Sequence, residues 1–358
     1  MISARPKIIV DLKKFRRNAR VLRDMCHENG ITVAAVTKVF CAERLLVNIL
    51  IEEGVDFLAD SRLMNIASYP RTDIKKTLLR LPSPDDAWET VRLCDVSLNS
   101  EILTLTSLAE AAKSQGKRHG VILMIDLGDL REGVYYDNSE LITQTAEYAD
   151  KSPWLDLMGI GLNLTCYGSI IPTEKNLGKL CDMATDLENR LGIGLPIVSG
   201  GNSSSLPLLL NGRMPNRVTN LRLGESIVRG YETAYSQPIE CLDQDILMLE
   251  ASIIEIQTKP SYPEGEIGVN AFGERPQFED KGRRKRAILA VGRQDTDPLG
   301  LVCTVPGVKI LGASSDHLVA DLTEAERDFK VGATLSFHMN YSAVLRGFTS
   351  GYVNRIFI

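Results

Sequence analysis

From residue 30 to about 225, short apolar runs alternate with longer amphipathic ones. The runs are Thr32–Thr37, Asp56–Ala59, Thr77–Leu81, Asp95–Leu98, Val121–Leu127, Leu157–Leu162, Pro196–Ser199 and Thr219–Leu223. Between them, Ala42–Glu53, Glu101–Gln115 and Leu177–Leu191 place apolar residues every three to four positions, the period of a helix packed along one face. Short, mainly apolar runs separated by helices read as the strands of a parallel sheet. Eight such runs separated by helices predict an α/β fold, and eight is the number that closes a TIM-like (β/α)8 barrel.

After about residue 236 the texture changes. Leu247–Ile256, Arg286–Val291, Val308–Leu311, His317–Leu322, Thr334–His338 and Tyr352–Ile358 are strand-like, with Gly, Pro and Asp turns between them and no long helical period. This predicts a mostly antiparallel β domain over 236–358, after a barrel over 1–235. The first strand, Pro6–Val10, precedes a helix over Asp11–Glu28, and it could pair with either domain.

Composition narrows the function classes. The 358 residues are 44% hydrophobic and 24% charged, as in a soluble globular protein. A formal charge of −5 gives no reason to expect nucleic acid or an acidic membrane surface as partner. No apolar h-region opens the chain, and no stretch reaches the roughly 18 uninterrupted apolar residues of a membrane span. Seven scattered cysteines without a C-x-x-C pair fit reduced thiols in a cytoplasm rather than a disulfide framework or zinc site.

Three features could carry chemistry. Lys38 ends the first barrel run, at the mouth where barrel enzymes place catalytic groups; it is either a snorkelling strand end or an amine tuned for Schiff-base chemistry. Ile197-Val198-Ser199-Gly200-Gly201-Asn202-Ser203-Ser204-Ser205 runs from an apolar strand into small residues able to open a helix. That is either a common turn or a nest of N–H groups for a phosphate, followed by Arg222 and Gly224 on the next strand. Asp126-Leu127-Gly128-Asp129-Leu130-Arg131-Glu132-Gly133 carries an Arg that either clamps a carboxylate or makes a surface ion pair.

In this order the motifs resemble the alanine racemase superfamily, a pyridoxal-phosphate barrel with a C-terminal β domain, along essentially the whole chain. The ornithine racemase branch is the most similar, through Phe57-Leu58-Ala59-Asp60-Ser61-Arg62, Asn163-Leu164-Thr165-Cys166-Tyr167-Gly168, Gly265-Glu266-Ile267-Gly268-Val269 and Gly312-Ala313-Ser314-Ser315-Asp316-His317. The resemblance implies an amino-acid racemase that uses pyridoxal 5'-phosphate and works as a homodimer with its site at the subunit interface. Lys38 would carry the cofactor covalently and act as one proton-transfer base. Asn202, Ser203, the backbone at Gly224 and Tyr341 would hold the phosphate. Arg222 would face the pyridine nitrogen, Asn163 would replace a ring-stacking histidine, and Arg131 would clamp the substrate carboxylate or the cofactor phenolate.

The chain departs from alanine racemases where it matters most. Their second base, a tyrosine in Gly-Tyr-x-Asp-Gly, is missing from Gly292-Arg293-Gln294-Asp295-Thr296. Candidates are Asp295, Asp316 and His317, with His317 favoured because a histidine takes and returns protons near neutral pH. Met124 stands where a carbamylated lysine often positions the loop arginine, leaving Asp126 or Asp129 for that role. Lys38-Val39-Phe40-Cys41-Ala42 replaces the alanine-type motif, which argues against alanine as the preferred substrate; the resemblance to the ornithine racemase branch implies ornithine, with lysine, arginine or a broader set as the alternatives. A distal ammonium needs an anion, for which Asp295, Asp297 or Asp316 is available; Ser315 lies in the same substrate motif. A non-catalytic pyridoxal-phosphate carrier would share the lysine but not the long β domain.

Overall fold

The first described strand, β1 (Lys7–Val10), precedes helix α1 (Leu12–His27), and a (β/α) succession then begins. In a computed structural model, residues 6–358 are described, and these divide into two compact units: 6–13 with Asp245–Ile358, and Lys14–Gln244. The second of these is built on β2 (Thr32–Val36), β3 (Phe57–Asp60), β4 (Lys75–Leu78), β5 (Val96–Asn99), β6 (His119–Asp126), β7 (Val134–Tyr135), β8 (Leu155–Gly161), β9 (Ile197–Ser199) and β10 (Asn220–Leu223). Helices α2 (Arg44–Glu52), α3 (Leu63–Ala67), α4 (Ala87–Leu93), α5 (Ile102–Gln115), α6 (Ser139–Lys151), α7 (Glu174–Leu191), α8 (Leu206–Leu210) and α9 (Glu225–Arg229) fall between or after the strands.

All pairings in this sheet are parallel. β7 branches off β6; the other eight strands close a ring through β5–β6 and β10–β2. The apolar runs form strands here because both faces are covered. Val121 and Leu155 pack with Val91, Leu105, Leu108 and Ala149 from α4, α5 and α6. Ile122 and Met124, on the opposite face of β6, pack with Val96, Leu98 and Ile197 from neighbouring strands.

The other unit contains β11 (Leu247–Pro260), β12 (Arg283–Leu289), β13 (Leu301–Cys303), β14 (Lys309–Ala313), β15 (Leu318–Asp321), β16 (Thr334–Met339), helix α10 (Tyr341–Thr349) and β17 (Asn354–Phe357). Its pairings are antiparallel except β1 with β17. The division falls after Gln244, where the sequence placed it at 235, and of the two pairings open to the first strand the structure has the one within the β unit: among the described residues β1 pairs with β11 and β17. The β texture also concealed α10, little more than two turns long, capped by Asn340 and buried through Ala343, Val344, Gly347 and Phe348. The basic run near Arg284 is an ion-paired strand, with Arg284 on Asp321 and Glu324 and Lys285 on Asp328.

One ion-pair cluster ties α1 to the end of α2. Arg16 (2.8 Å) and Arg20 (2.7 Å) donate to the buried carboxylate of Glu53. The Arg20 guanidinium, seconded by Arg16, holds that carboxyl below the usual carboxylate range. Its contribution to stability is therefore present above the unfolded value near 4.5 and disappears as pH falls through the lowered folded value. Glu53→Gln is expected to cost about 1–2 kcal/mol at neutral pH and to flatten the loss of stability below pH 4.5, read by urea denaturation across pH. An unchanged pH profile would count against this role.

Candidate functional site

Because every barrel strand runs the same way, the residues that follow the strands share one mouth. Lys38 opens a short 3-10 turn, Lys38–Phe40, directly after β2 and is half-buried. The turn closes through two residues in the left-handed region, Cys41 (φ 50°) and Ala42 (φ 54°), neither of them glycine. Such conformations persist only where the surroundings impose them, and they concentrate at functional sites. Gly224, after β10, faces Val36: a Cβ there would lie 3.0 Å from the valine Cβ. Lys38's positive charge reaches Glu225, the first residue of α9, whose carboxyl is raised above its usual range chiefly by burial.

The ends of β9 and β10 are joined by serines. The Ser203 and Ser226 hydroxyls are 3.0 Å apart, and Ser226 N–H also donates to Ser203 Oγ. This brings together the starts of the Ser203–Ser205 turn and of α9. Asn202 caps the first through Ser204 N–H (2.8 Å), while its amide donates to Asn163 Oδ1 (3.0 Å) and Leu164 O (3.1 Å). Two buried polar atoms here, Asn163 Nδ2 and Ser204 Oγ, have no hydrogen-bond partner among the described residues.

Arg222 is buried, its guanidinium donating to Ser199 Oγ and to Leu162 O (2.5 Å). Burial lowers its pKa to about 10, so it remains cationic at neutral pH. Glu132 and Arg131 are near enough for their charges to act on it, Glu132 favouring the cation and Arg131 opposing it. Arg131 is itself engaged with Glu132, through Nη2 at 2.6 Å.

Asp126 and Asp129, the alternatives for positioning Arg131, both accept backbone N–H groups rather than the guanidinium. Asp126 accepts from the backbone N–H of Gly128 (2.8 Å) and Leu130 (3.2 Å), folding the loop on itself. Asp129 is buried and accepts from the N–H groups of Thr165 (2.9 Å), Tyr167 (3.0 Å) and Ile170 (3.3 Å), so it organises the Asn163–Gly168 segment. Gly168 is required there: a Cβ would sit 2.6 Å from Asp129 O.

In the β unit, a second cluster forms by itself. Arg293 and Gln294 N–H groups donate to Ser314 O and Ser315 O, laying Gly292–Asp297 beside the 314–317 turn. Asp295 is buried, accepts from Gly292 N–H (3.0 Å) and Ser350 Oγ (3.4 Å), and is raised above the carboxylate range by burial. Asp316 is exposed and accepts from Gln294 (2.8 Å); His317 is exposed on the same turn. Tyr341 is the first residue of α10, behind the Asn340 cap.

The sequence reading missed Ser226, Ser199 and Glu132, whose roles arise from contacts distant in sequence or from ordinary neighbours. Asp60 ends β3 much as Lys38 follows β2, a lone charge after an apolar run, and that signal could have marked it. Among the described residues, no group of three or more His, Cys, Asp or Glu could hold a metal ion, and no helix is long and apolar enough to cross a membrane.

The chain is similar to known proteins along nearly its whole length. Residues 10–231 match the family described as alanine racemase, N-terminal domain. An ornithine racemase from Acetoanaerobium sticklandii is 46% identical over 98% of this chain and 99% of its own. A lysine racemase from Thermotoga maritima is 36% identical over 98% of both chains. The fold matches a crystal structure of alanine racemase from Bartonella henselae with covalently bound pyridoxal phosphate, at a TM-score of 0.74 and 14% identity over 99% of this chain and 100% of the other.

The Asp129 lattice has a direct consequence. Each bond to a charged acceptor contributes about 1.5–3 kcal/mol, so Asp129→Ala is expected to speed amide exchange at Thr165 and Tyr167 more than tenfold while amides of β6 keep their protection. Hydrogen–deuterium exchange by NMR or mass spectrometry checks this, and unchanged protection of the 163–170 segment would contradict it.

Proposed function

The chain belongs to the alanine racemase family, and from that premise we propose that it interconverts L- and D-ornithine with pyridoxal phosphate held at the barrel mouth. The observation that carries the substrate is the 46% identity to an ornithine racemase along nearly the full length of both chains. The lysine racemase at 36% identity supports lysine as the second candidate, one methylene longer.

The residues present fit the cofactor. A phosphate needs converging N–H and O–H donors, and the stapled starts at Ser203 and Glu225, with Gly224 keeping Cβ atoms away, supply that chemistry. Two buried polar atoms, Ser204 Oγ and Asn163 Nδ2, are available as further donors. When bound, pyridoxal phosphate supplies an aldehyde for the amine and a ring that draws electrons from the Cα–H bond.

On this reading Lys38 holds the cofactor through its Nζ and moves the α-proton on one face of the substrate. Arg222 only donates hydrogen bonds. Fixed by Ser199 and Leu162, it would leave the ring nitrogen unprotonated and so temper the electron sink, favouring a clean proton swap over side reactions. Arg131 would hold the substrate carboxylate once it exchanges Glu132 for that anion. The opposite face needs its own proton carrier. We assign it to His317, because Asp295 already accepts hydrogen bonds from Gly292 and Ser350. Asp316 and Ser315, on the same turn, would serve the distal ammonium, and Tyr341 the phosphate. A homodimer in the cytoplasm completes the proposal, on the family's habit and on scattered, odd-numbered cysteines.

The test is α-proton exchange in deuterium oxide against a panel of single enantiomers. Ornithine is expected to exchange fastest from both L and D forms, Lys38→Ala to abolish exchange, and His317→Asn to slow one enantiomer about a hundredfold or more relative to the other. Exchange with no amino acid would defeat the racemase reading, and equal slowing of both enantiomers would remove His317 from its role.

A further inference from the structure

The residue before Lys38 is tied to a buried carboxylate for which the reaction, as described, has no use. Thr37 Oγ1 lies 2.5 Å from Oδ2 of Asp60 at the end of β3, and 2.7 Å from the hydroxyl of Tyr69 just after α3. Thr37 has one hydroxyl proton to give; donating it to Asp60 leaves its oxygen to accept from Tyr69. Asp60 is fully buried and also accepts from Arg62 N–H (2.9 Å) and from the Asn65 amide (3.1 and 3.2 Å). The end of β3 and the segment after α3 therefore converge on one threonine.

The backbone of Thr37 completes the seat. Its N–H donates to Ala59 O (2.9 Å), and its carbonyl accepts from both Phe40 and Ala42 N–H (3.2 Å each). Those last two bonds close the turn that holds Cys41 and Ala42 in the left-handed region. Burying a carboxylate is costly, and the raised pKa of Asp60, caused by burial, reports that cost. An apolar side chain would fill the space without it. What the carboxylate adds is directional restraint.

We propose that Asp60, acting through Thr37, is a positioning residue for Lys38: the Tyr69–Thr37–Asp60 chain fixes the turn from which the lysine rises and so sets how its amine meets the cofactor and the substrate's α-carbon. This rests on the reading of Lys38 as the cofactor-bearing base.

The test compares holoenzyme with Thr37→Val, which keeps the shape but removes the donor, and Thr37→Ser, which keeps the donor. Thr37→Val is expected to lower kcat for ornithine about tenfold to a hundredfold with KM changed less than about threefold, and Thr37→Ser to restore kcat. The visible circular dichroism of the bound cofactor, which needs no turnover, should change in Thr37→Val and return in Thr37→Ser. Equal behaviour of the two variants, or a Thr37→Val protein with wild-type kcat and dichroism, overturns the proposal. If Thr37→Val does not fold, Tyr69→Phe is read in the same way: altered kcat and dichroism support the chain, and unaltered values overturn it. If the wild-type holoenzyme turns over no amino acid, the racemase reading fails, and the dichroism comparison alone still decides the positioning role.

Discussion

The parallel pairing of β10 with β2, Asn220 opposite Thr32 through Leu223 opposite Ala35, joins the last barrel strand to the first. Everything at the mouth depends on this register. It puts Arg222 and Gly224 beside the strand that leads into Lys38, and it leaves Gly224 free to approach Val36. Polar side chains key the seam. Asn220 donates to Thr32 Oγ1 (3.1 Å) and accepts from Ser199 Oγ (2.7 Å), while Thr32 Oγ1 donates to Thr219 O (2.8 Å). A slip of one residue would turn each of these side chains to the opposite face of the sheet and unmake the bonds.

Above that seam the mouth is ordered largely by carboxylates that accept backbone N–H groups. Asp126 folds its own loop, Asp129 organises the neighbouring one, and Glu232 accepts from Ala234, Gln237 and Tyr235 N–H beyond α9. Each such carboxylate fixes several amides at once, which long ion pairs on the surface do poorly because they must order two flexible side chains in water. Loops held this way can present Arg131, Asn163 and Asn202 from different strands at fixed positions, as binding geometry requires.

Much of the barrel was legible because parallel strands covered by helices leave short, mainly apolar runs, and all eight runs correspond to ring strands. Lys38 was legible for the same reason, as a lone charge closing such a run. The partner of β1 was not, since a four-residue strand says nothing of a pairing with β11 and β17 more than two hundred residues away. Nor was α10, whose apolar face spans too few turns to show a period. In the site, the types of Asp126 and Asp129 were readable but their work was not: sequence suggested a cradle for Arg131, whereas both hold backbone amides and Arg131 pairs with Glu132. Thr37, Asp60 and Ser226 acquire meaning only when distant elements meet, and no local pattern carries that information.

Lys38, proposed as the residue that takes the cofactor's aldehyde, is the group the rest of the proposed site serves. Borohydride reduction of protein loaded with pyridoxal phosphate, followed by peptide mapping, tests this without reference to any substrate. The mass of the reduced cofactor is expected on the peptide containing Lys38 and on no other lysine. A label fixed on a different lysine, or none at all, would contradict the account.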